Sequence, residues 1–393
     1  MYRATQDIVL PTTITGSLPR PSWYTENLGA RTFLDAMVTV RFREQYTDAV
    51  GCYLRDQHMA GLDIVTDGDA RFDADVCGQS WVRYPLLHMA GLTVNDSTPI
   101  PAGTGGIGWP RGHILHDYME SRIMPTIVGP VGPGNLQYAA AWKLAQGMTH
   151  KPVKFGTITA ELLAFSAHDT HYKDIRDRVM AFSDALNTEL HALADAGCPV
   201  IQMEEPQVHM IALKGLTDGP LNMNFMIEVF NNTVRGLRAK TEVWCHSCWG
   251  NPSQQRIFDT VPSYKPALDA FNRLDADVIT FECCSCGTGD LESIGKAIAD
   301  KKVAIGVIDH HTLQVEKPQE VAALIRAALK HVPAERLVIS SDCGMGREGM
   351  SRRHAFYKMV ALVQGTNIVR QEIGAPVAQC LAADDRYSLT VGG

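Results

Sequence analysis

Short apolar runs rich in β-branched residues recur along this chain, each followed by a polar or glycine-containing turn and then by a stretch with helical spacing. Eight such strand–helix units predict an α/β fold, a closed (β/α)8 TIM barrel, because every parallel strand needs a helical crossover and eight strands close a packed interior. An open doubly wound sheet is the alternative, and it is disfavoured because no glycine-rich dinucleotide fingerprint follows the first run. The predicted strands are residues 12–16, 62–66, 153–158, 200–204, 242–246, 278–282, 304–309 and 337–342, and clear helical stretches are 31–60, 173–196, 224–239 and 319–331.

One segment, about residues 73–150, is too long for a single loop between the second and third strands. It has a Gly/Pro-rich centre at 101–110 and an extended run at 124–131. These features predict an insertion that contains a β-hairpin and arches over one mouth of the barrel. The whole chain, 1–393, is therefore expected to form one catalytic barrel domain.

The charge pattern narrows the class of ligand. The formal net charge is -7 at a pI near 6.0, and no Lys/Arg cluster interrupts the mixed pattern. Nucleic acid and anionic membranes are therefore not expected as partners, and a small-molecule substrate is. Because the chain has no run of about 18 apolar residues and no signal-like start, we expect a cytoplasmic protein. The oligomeric state stays open, a homo-oligomer included.

Metal-binding residue types collect where the predicted strands end, which is the catalytic face of such a barrel. His246 and Cys248 are two positions apart and so share a face, while Glu282 and Cys343 end other strands. Thiolate and imidazole are the ligands that zinc prefers, so these four residues predict a zinc site. The nearby thiols, which could replace Glu282 or only line the pocket, are Cys283, Cys284 and Cys286.

The predicted ligand set favours one kind of chemistry. Two cysteines and one carboxylate outweigh the charge of the dication, which suits a metal that binds a substrate thiol and keeps its sulfur nucleophilic. A hydrolytic zinc site would instead favour neutral histidines. We therefore expect an enzyme that transfers an alkyl group, most simply methyl, from a donor to a small thiol.

Eight stretches, in order along the chain, match one known family: 12–17, 61–69, 151–154, 201–206, 246–248, 274–282, 306–311 and 342–344. At these residues the sequence resembles the catalytic barrel of the cobalamin-independent methionine synthase superfamily. The resemblance implies a TIM barrel, with zinc held by residues that match His246, Cys248, Glu282 and Cys343.

The resemblance also implies roles for other residues. Ser17, Asp69 and Glu204 match positions that bind the amino-acid end of homocysteine, although the usual acidic pair is Glu then Asp. His311 matches a histidine that looks like the proton donor to the departing amine of the methyl donor. Asp309 is expected to orient it, and the adjacent histidine to be a bystander.

Three departures from the family pattern leave the methyl donor open, a polyglutamylated folate included. Only one barrel is present, residues 156–161 lack the usual Gly-Pro, and residues 249–266 are extra. An epoxyalkane:coenzyme M transferase, from a related branch with the same zinc chemistry, is an alternative, since residues 19–24 and 249–251 are similar to that branch. Its sulfonate would need a cation, for which Arg20, Arg71 and Arg347 are the candidates. A non-catalytic thiol-binding or zinc-binding protein is a third reading.

Overall fold

The computed structural model of the chain describes residues 3–28, 31–71, 80–99, 123–204, 206–215, 219–250, 262–346 and 349–383. The loop centre 101–110 and Arg347, both named in the sequence predictions, lie outside these ranges. The described strands are β1 (Val65–Thr66), β2 (Ala90–Pro99), β3 (Ile123–Gly132), β4 (Val153–Ile158), β5 (His168–Asp169), β6 (Val200–Glu204), β7 (Glu242–Ser247), β8 (Val278–Phe281), β9 (Lys302–Gly306) and β10 (Leu337–Ser340).

Seven parallel strands form one sheet in the order β1-β4-β6-β7-β8-β9-β10. The short segment 11–13 hydrogen-bonds to both of its edges. On one side the Thr13 N–H donates to the Ile339 carbonyl at 2.9 Å, and on the other the Ile64 N–H donates to the Thr12 carbonyl at 3.0 Å. The sheet therefore curls until its edges approach, as in a TIM-barrel-like fold.

The first two predicted strands are much shorter than expected. Residues 12–16 contribute a single β-bridge, Thr12 to Ile339, because the Thr15 N–H and hydroxyl bond to Ser341 instead of to a strand. In the second run the Gln57 amide bonds to both the N–H and the carbonyl of Thr66, each at 2.8 Å. Side chains thus replace strand partners at the seam of the barrel, that is, at residues 12–16 and 62–66, where the two edges of the sheet meet.

Helices surround the sheet, mostly where apolar spacing predicts them. The predicted helix 31–60 is divided, because Thr39 has an extended backbone (φ -72°, ψ 116°). The described helices are α1 (Phe33–Val38), α2 (Val40–Ala60), α3 (Ser80–His88), α4 (Tyr138–Gln146), α5 (Ala160–Phe165), α6 (Ile175–Asp195), α7 (Val208–Lys214), α8 (Met223–Thr233), α9 (Leu268–Arg273), α10 (Leu291–Ala297), α11 (Pro318–Leu329) and α12 (Arg352–Glu372). Short 3-10 turns are Leu237–Ala239, Lys265–Ala267, Ala334–Arg336 and Leu381–Ala383. Among the described residues, every helix is too short or too polar to cross a lipid bilayer.

A second, three-stranded sheet has the order β2-β3-β5, with β2 and β3 antiparallel. It includes part of the segment predicted as an insertion. The residues that join β2 to β3, numbers 100–122, lie outside the description. The excursion over a barrel mouth therefore stays a prediction.

The amino-terminal end of the barrel interior is closed by the N-terminal segment. The Glu242 carboxylate accepts hydrogen bonds from the N–H groups of Arg3 and Thr5 and from the Trp244 indole, and Lys302 Nζ donates to the Thr5 carbonyl at 2.5 Å. The interior layer next to this segment is apolar and buried, and it consists of Ala4, Ile64, Val200, Trp244, Val278, Ala304 and Val338. Because this end is closed and apolar, the functional groups are expected at the opposite end, where the strands have their carboxyl termini.

Candidate active site

Three of the four predicted metal ligands converge at the carboxyl-terminal mouth. His246 lies in β7, Cys248 follows it, and Cys343 follows β10. Their ligand atoms all lie within 4.8 Å of one another, and the two sulfur atoms are 3.4 Å apart. All three side chains are buried. Two thiols and one imidazole held this close are a donor set that fits zinc.

A threonine fixes the ring of His246. The Nδ1 atom is 2.6 Å from the hydroxyl of Thr280, its register partner on β8. This contact orients the ring, because outer hydrogen-bond partners of this kind set the tautomer and orientation of metal-binding histidines. Sequence reasoning missed Thr280, whose signal is only its cross-strand pairing with His246.

Glu282, the fourth predicted ligand, is not in the close group. Its carboxylate accepts from the Trp249 N–H at 2.8 Å, from the Ser285 hydroxyl, and from the Cys286 thiol at 3.5 Å. It lies within 4.8 Å of ring nitrogens of His310 and His311. It therefore faces the loop after β9 and lies beside the cluster of His246, Cys248 and Cys343.

Asp342 shapes the loop that carries the three uncertain cysteines. Its carboxylate accepts the N–H groups of Cys283, Cys284 and Ser285 at 2.9, 2.9 and 2.7 Å. Burial and the nearby Glu282 carboxylate raise the pKa of Asp342 well above its usual range. In the described residues, no sulfur of Cys283, Cys284 or Cys286 belongs to the close group of ligands.

A buried histidine contacts the backbone of Cys248. His209 Nε2 is 2.7 Å from the Cys248 carbonyl, and the ring packs among Trp249, Tyr264 and Phe271 at centroid distances of 5.0 to 6.1 Å. Burial lowers the pKa of His209 to about 4, so the imidazole is neutral and donates to that carbonyl. A lone histidine in α7 gives no such signal in the sequence.

The loop after β9 carries the predicted proton donor. His311 Nδ1 is 3.1 Å from the Asp309 carboxylate, which also accepts the His311 N–H at 2.7 Å. Burial raises the pKa of Asp309, but these hydrogen bonds outweigh it and leave the pKa below its usual value. His310, expected to be a bystander, is fully buried, with its ring centroid 3.8 Å from that of His311.

The two acidic residues predicted to bind an ammonium group also converge. A Cβ placed on Gly16 would lie 3.0 Å from Asp69 Oδ2 and 3.6 Å from Glu204 Oε1. Asp69 has a left-handed backbone (φ 53°), rare for a non-glycine residue and a type of strain that collects at functional sites. Its N–H is held by Asp67 Oδ1 at 2.9 Å.

Ser17 connects this acidic pair to the cysteine cluster. Its hydroxyl accepts the Gly346 N–H at 3.2 Å, and a Cβ on Gly344 would be only 2.2 Å from Ser17 Oγ. Because Gly344 directly follows Cys343, the acidic pair beside Gly16 and the sulfur cluster lie on two touching segments.

Two of the three predicted cationic residues lie in the described part of the chain, and both are engaged in hydrogen bonds within the protein. The Arg71 guanidinium is 3.3 Å from both Asp67 and Asp69 and donates to the Gly156 carbonyl at 2.5 Å. Arg20 lies over the Tyr24 ring and bonds to carbonyls of its own segment, including that of Tyr24 at 2.7 Å.

The fold and the site define a class: an α/β protein with a curled parallel sheet and a buried Cys/His cluster at the carboxyl ends of its strands. Residues 112–365 match the family model described as "Cobalamin-independent synthase, Catalytic domain". The chain therefore belongs to the cobalamin-independent methionine synthase superfamily, a family of enzymes that alkylate thiols, as the resemblance predicted.

Individual relatives agree with this assignment. A methionine synthase of Saccharolobus solfataricus is 28% identical over 93% of this chain and 96% of its own length. A 2-hydroxypropyl-CoM lyase of Xanthobacter autotrophicus is 29% identical, with 94% and 97% covered. Among solved structures, a B12-independent methionine synthase from Shewanella sp. W3-18-1 in complex with selenomethionine is similar, with a TM-score of 0.74 and 26% identity over 93% of this chain and 99% of that one.

Proposed function

We propose that this protein is a zinc-dependent S-methyltransferase whose methyl acceptor is homocysteine or a close amino-acid thiol. The proposal rests mainly on one contact, which places the acidic pair next to the cysteine cluster. The acidic pair Asp69 and Glu204 lies beside Gly16, and the adjacent Ser17 touches the glycine that follows Cys343. We also infer that the strands complete a (β/α)8 barrel, with residues 73–150 inserted over its mouth.

His246, Cys248 and Cys343 would hold the zinc, and Glu282 is proposed as the fourth ligand. When bound, zinc supplies a centre that binds the substrate's sulfur and lowers the pKa of its thiol. In this structure the Glu282 carboxylate accepts the Trp249 N–H, and Trp249 directly follows the ligand Cys248, so Glu282 would complete the zinc site from the adjacent loop. Thr280 and His209 keep His246 and Cys248 in place.

The remaining residues bind and orient the substrates. Asp69 and Glu204 pair with the α-ammonium group, because burying that charge without a partner would be costly. As the bond between the methyl group and the donor nitrogen breaks and the sulfur–carbon bond forms, His311 gives a proton to the departing amine, while Asp309 orients the ring. The donor itself is proposed only as a methyl carrier with an amine leaving group.

Opening of an epoxide by coenzyme M is the second candidate, supported by the 29% identity to the 2-hydroxypropyl-CoM lyase. That substrate carries a sulfonate in place of an ammonium group, so it needs cationic partners. Arg71 is already paired with Asp67 and Asp69, and Arg20 is bonded within its own segment. Two carboxylates facing the same point therefore favour the amino-acid thiol.

Calorimetry on zinc-loaded protein tests the proposal with three thiols: homocysteine, 4-mercaptobutanoate, which lacks the amino group, and coenzyme M. We expect homocysteine to bind most tightly. Asp69→Asn should weaken homocysteine by about tenfold to a hundredfold, because one buried ion pair is lost, and change 4-mercaptobutanoate little. The surface variant Asp275→Asn is the matched control. Coenzyme M binding tightest, or Asp69→Asn affecting both carboxylate-bearing thiols equally, would reject the amino-acid substrate.

Turnover separates an enzyme from a binding protein. Zinc-loaded protein is incubated with homocysteine and a panel of methyl donors, and S-methylated product is measured. We expect product with at least one donor and none with the variant Cys343→Ser. Tight thiol binding without product from any donor would favour the non-catalytic reading.

A further inference from the structure

A lysine lies buried inside the barrel, one layer beneath the acidic pair. Lys154 of β4 is 1% exposed, and its Nζ donates to the Ile14 carbonyl and to Gln202 Oε1, both at 2.7 Å. The ammonium group also lies 4.7 Å from the centre of the Trp244 ring. In the described part of the chain it bonds directly to no carboxylate. A buried lysine without a directly bonded carboxylate loses the ion pair that would normally stabilise its charged form.

Gln202 connects this lysine to the substrate site. Its Nε2 donates to Glu204 Oε1 at 2.8 Å and to the Thr15 carbonyl at 2.8 Å, while its Oε1 accepts from Lys154. A Cβ on Gly156, two residues beyond Lys154 on the same strand face, would lie 2.4 Å from Glu204 Oε1. Lys154 therefore acts on Glu204 across a single side chain.

The charges around Lys154 come from two sides. Glu204 on β6 and Asp69 in the loop after β1 favour its charged form, and burial opposes it more strongly, so the pKa of Lys154 is lowered to about 7. Arg71 already offsets part of the negative charge of Asp67 and Asp69. The neighbouring segment 12–16 contributes the Ile14 carbonyl, and β7 contributes the uncharged Trp244.

A second ammonium group would change this balance. A substrate ammonium between Asp69 and Glu204 takes over the attraction that keeps Lys154 charged, and it also repels the lysine through a low-dielectric interior. Both effects disfavour the protonated lysine. The proton leaves to solvent, and Lys154 keeps a neutral amine that still hydrogen-bonds to Gln202.

We propose that Lys154 is a positioning residue that releases its proton when the substrate's ammonium group enters between Asp69 and Glu204. Acting through Gln202, it would make the site select amino-acid thiols by a proton exchange as well as by the two carboxylates. This inference rests on the proposed function.

The experiment counts protons. Binding of homocysteine and of 4-mercaptobutanoate to zinc-loaded protein is measured by calorimetry in buffers of different ionisation enthalpy, between about pH 6 and pH 8. Both thiols lose their thiol proton. We expect homocysteine to release up to about one additional proton near pH 6, falling towards zero near pH 8 as Lys154 becomes neutral before binding.

Two variants assign that proton. Lys154→Met has no proton to release, so the two thiols should give equal counts. Lys154→Arg keeps a permanent charge, so it should also give equal counts and bind homocysteine at least about tenfold more weakly near pH 8. Thermal unfolding identifies variants that do not fold. If Lys154→Met does not fold, Lys154→Arg still tests the same prediction.

The possible results distinguish a failure of the role of Lys154 from a failure of the proposed function. If homocysteine binds no better than 4-mercaptobutanoate, the amino-acid substrate is wrong and the proton exchange falls with it. If homocysteine is preferred but both thiols release equal numbers of protons, only the role of Lys154 is wrong. An additional proton that persists in Lys154→Met also rejects it, and that is the result expected of a merely structural lysine.

Discussion

The Thr280 hydroxyl contacts Nδ1 of His246 at 2.6 Å, which makes a single side-chain atom important for metal affinity. Thr280→Val removes the hydroxyl and nearly conserves volume. We expect zinc affinity to fall by about tenfold to a hundredfold, because the imidazole loses the partner that fixes its tautomer and orientation. Competition with a chromogenic chelator measures it. Thr366→Val, which removes another buried threonine hydroxyl in α12, is the control, and equal affinities in the two variants would contradict the assignment.

Glu161 is a second residue whose buried state has a measurable consequence. It is 1% exposed, its Oε1 accepts the Gln207 N–H at 3.1 Å, and its Oε2 has no hydrogen-bond partner in the described residues. Burial raises the pKa of Glu161 to about 7. Because the folded protein holds this proton more tightly than the unfolded chain, the carboxyl's contribution to stability is lost as pH rises from about 4.5 through about 7.

Glu161→Gln mimics the protonated carboxyl at every pH. The variant should match the parent near pH 4, below the ordinary pKa, and be more stable near pH 8 by up to about 3 kcal/mol, since one pKa unit corresponds to about 1.4 kcal/mol. Unfolding by denaturant across this range measures the difference. Glu189→Gln, a carboxylate also bonded to one backbone N–H but more exposed, should show a smaller effect. A difference between Glu161→Gln and the parent that does not change with pH would be contrary to this assignment.

The chemical type of a residue predicts its place in the site when that type is rare and lies where a strand ends. His246, Cys248 and Cys343 satisfy both conditions, and the structure brings them together. Thr280 and His209 could not be found in this way, because their contacts depend on register between strands and on packing of α7. Lys154 is hidden for a different reason: a lysine in an apolar strand is usually exposed at its tip.

The loop that carries His311 is held as a unit by a lysine from another element. Lys358 of α12 is fully buried, and its Nζ donates to the Asp309 and Gln314 carbonyls at 3.0 and 2.6 Å and to Glu316 at 2.9 Å. Glu316 in turn accepts the Asp309 N–H at 2.9 Å. Residues 309–316 are thus fixed around one ion pair whose lysine is fully buried.

Breaking this pair should affect both stability and catalysis. Lys358→Met is expected to cost about 3 kcal/mol, because it leaves the largely buried Glu316 carboxylate without its cation. It should also lower kcat more than it raises the KM for the thiol, since His311 is displaced while the acidic pair is untouched. Unfolding and initial rates are measured together. The double variant Lys358→Met with Glu316→Gln should regain part of the stability, and an unchanged kcat in the single variant would argue against a role for this loop.

At the scale of elements, buried strands were predictable and the seam of the barrel was not. Predicted strands 153–158 and 200–204 coincide with β4 and β6, because both are bounded apolar runs. Residues 12–16 form only a bridge, since Ser341 takes the hydrogen bonds of Thr15 that a strand partner would otherwise make. Such competition between side chain and backbone is local to the folded structure and has no periodic signal.

The two ends of the barrel are held together by different groups. At the amino-terminal end, Glu242 and Lys302 bind the N-terminal segment over an apolar layer. At the carboxyl-terminal end, Cys248 and Cys343 follow β7 and β10, which are separated in the sheet by β8 and β9. A metal bound there would tie together parts of the barrel that no strand pairing joins directly.

Metal removal should therefore lower the stability of the whole barrel. A ligand that binds only the folded state stabilises it by about 4 kcal/mol at a free concentration of 1,000 times its Kd. We expect a strong chelator to lower the melting temperature of the zinc-loaded protein by several degrees, and re-addition of zinc to restore it. Cys343→Ser, which removes one ligand and keeps the fold, should already melt near the chelated value and respond little to chelator or zinc. If the parent and Cys343→Ser respond equally, the stabilising ion lies elsewhere, and the cluster of His246, Cys248 and Cys343 does not hold it.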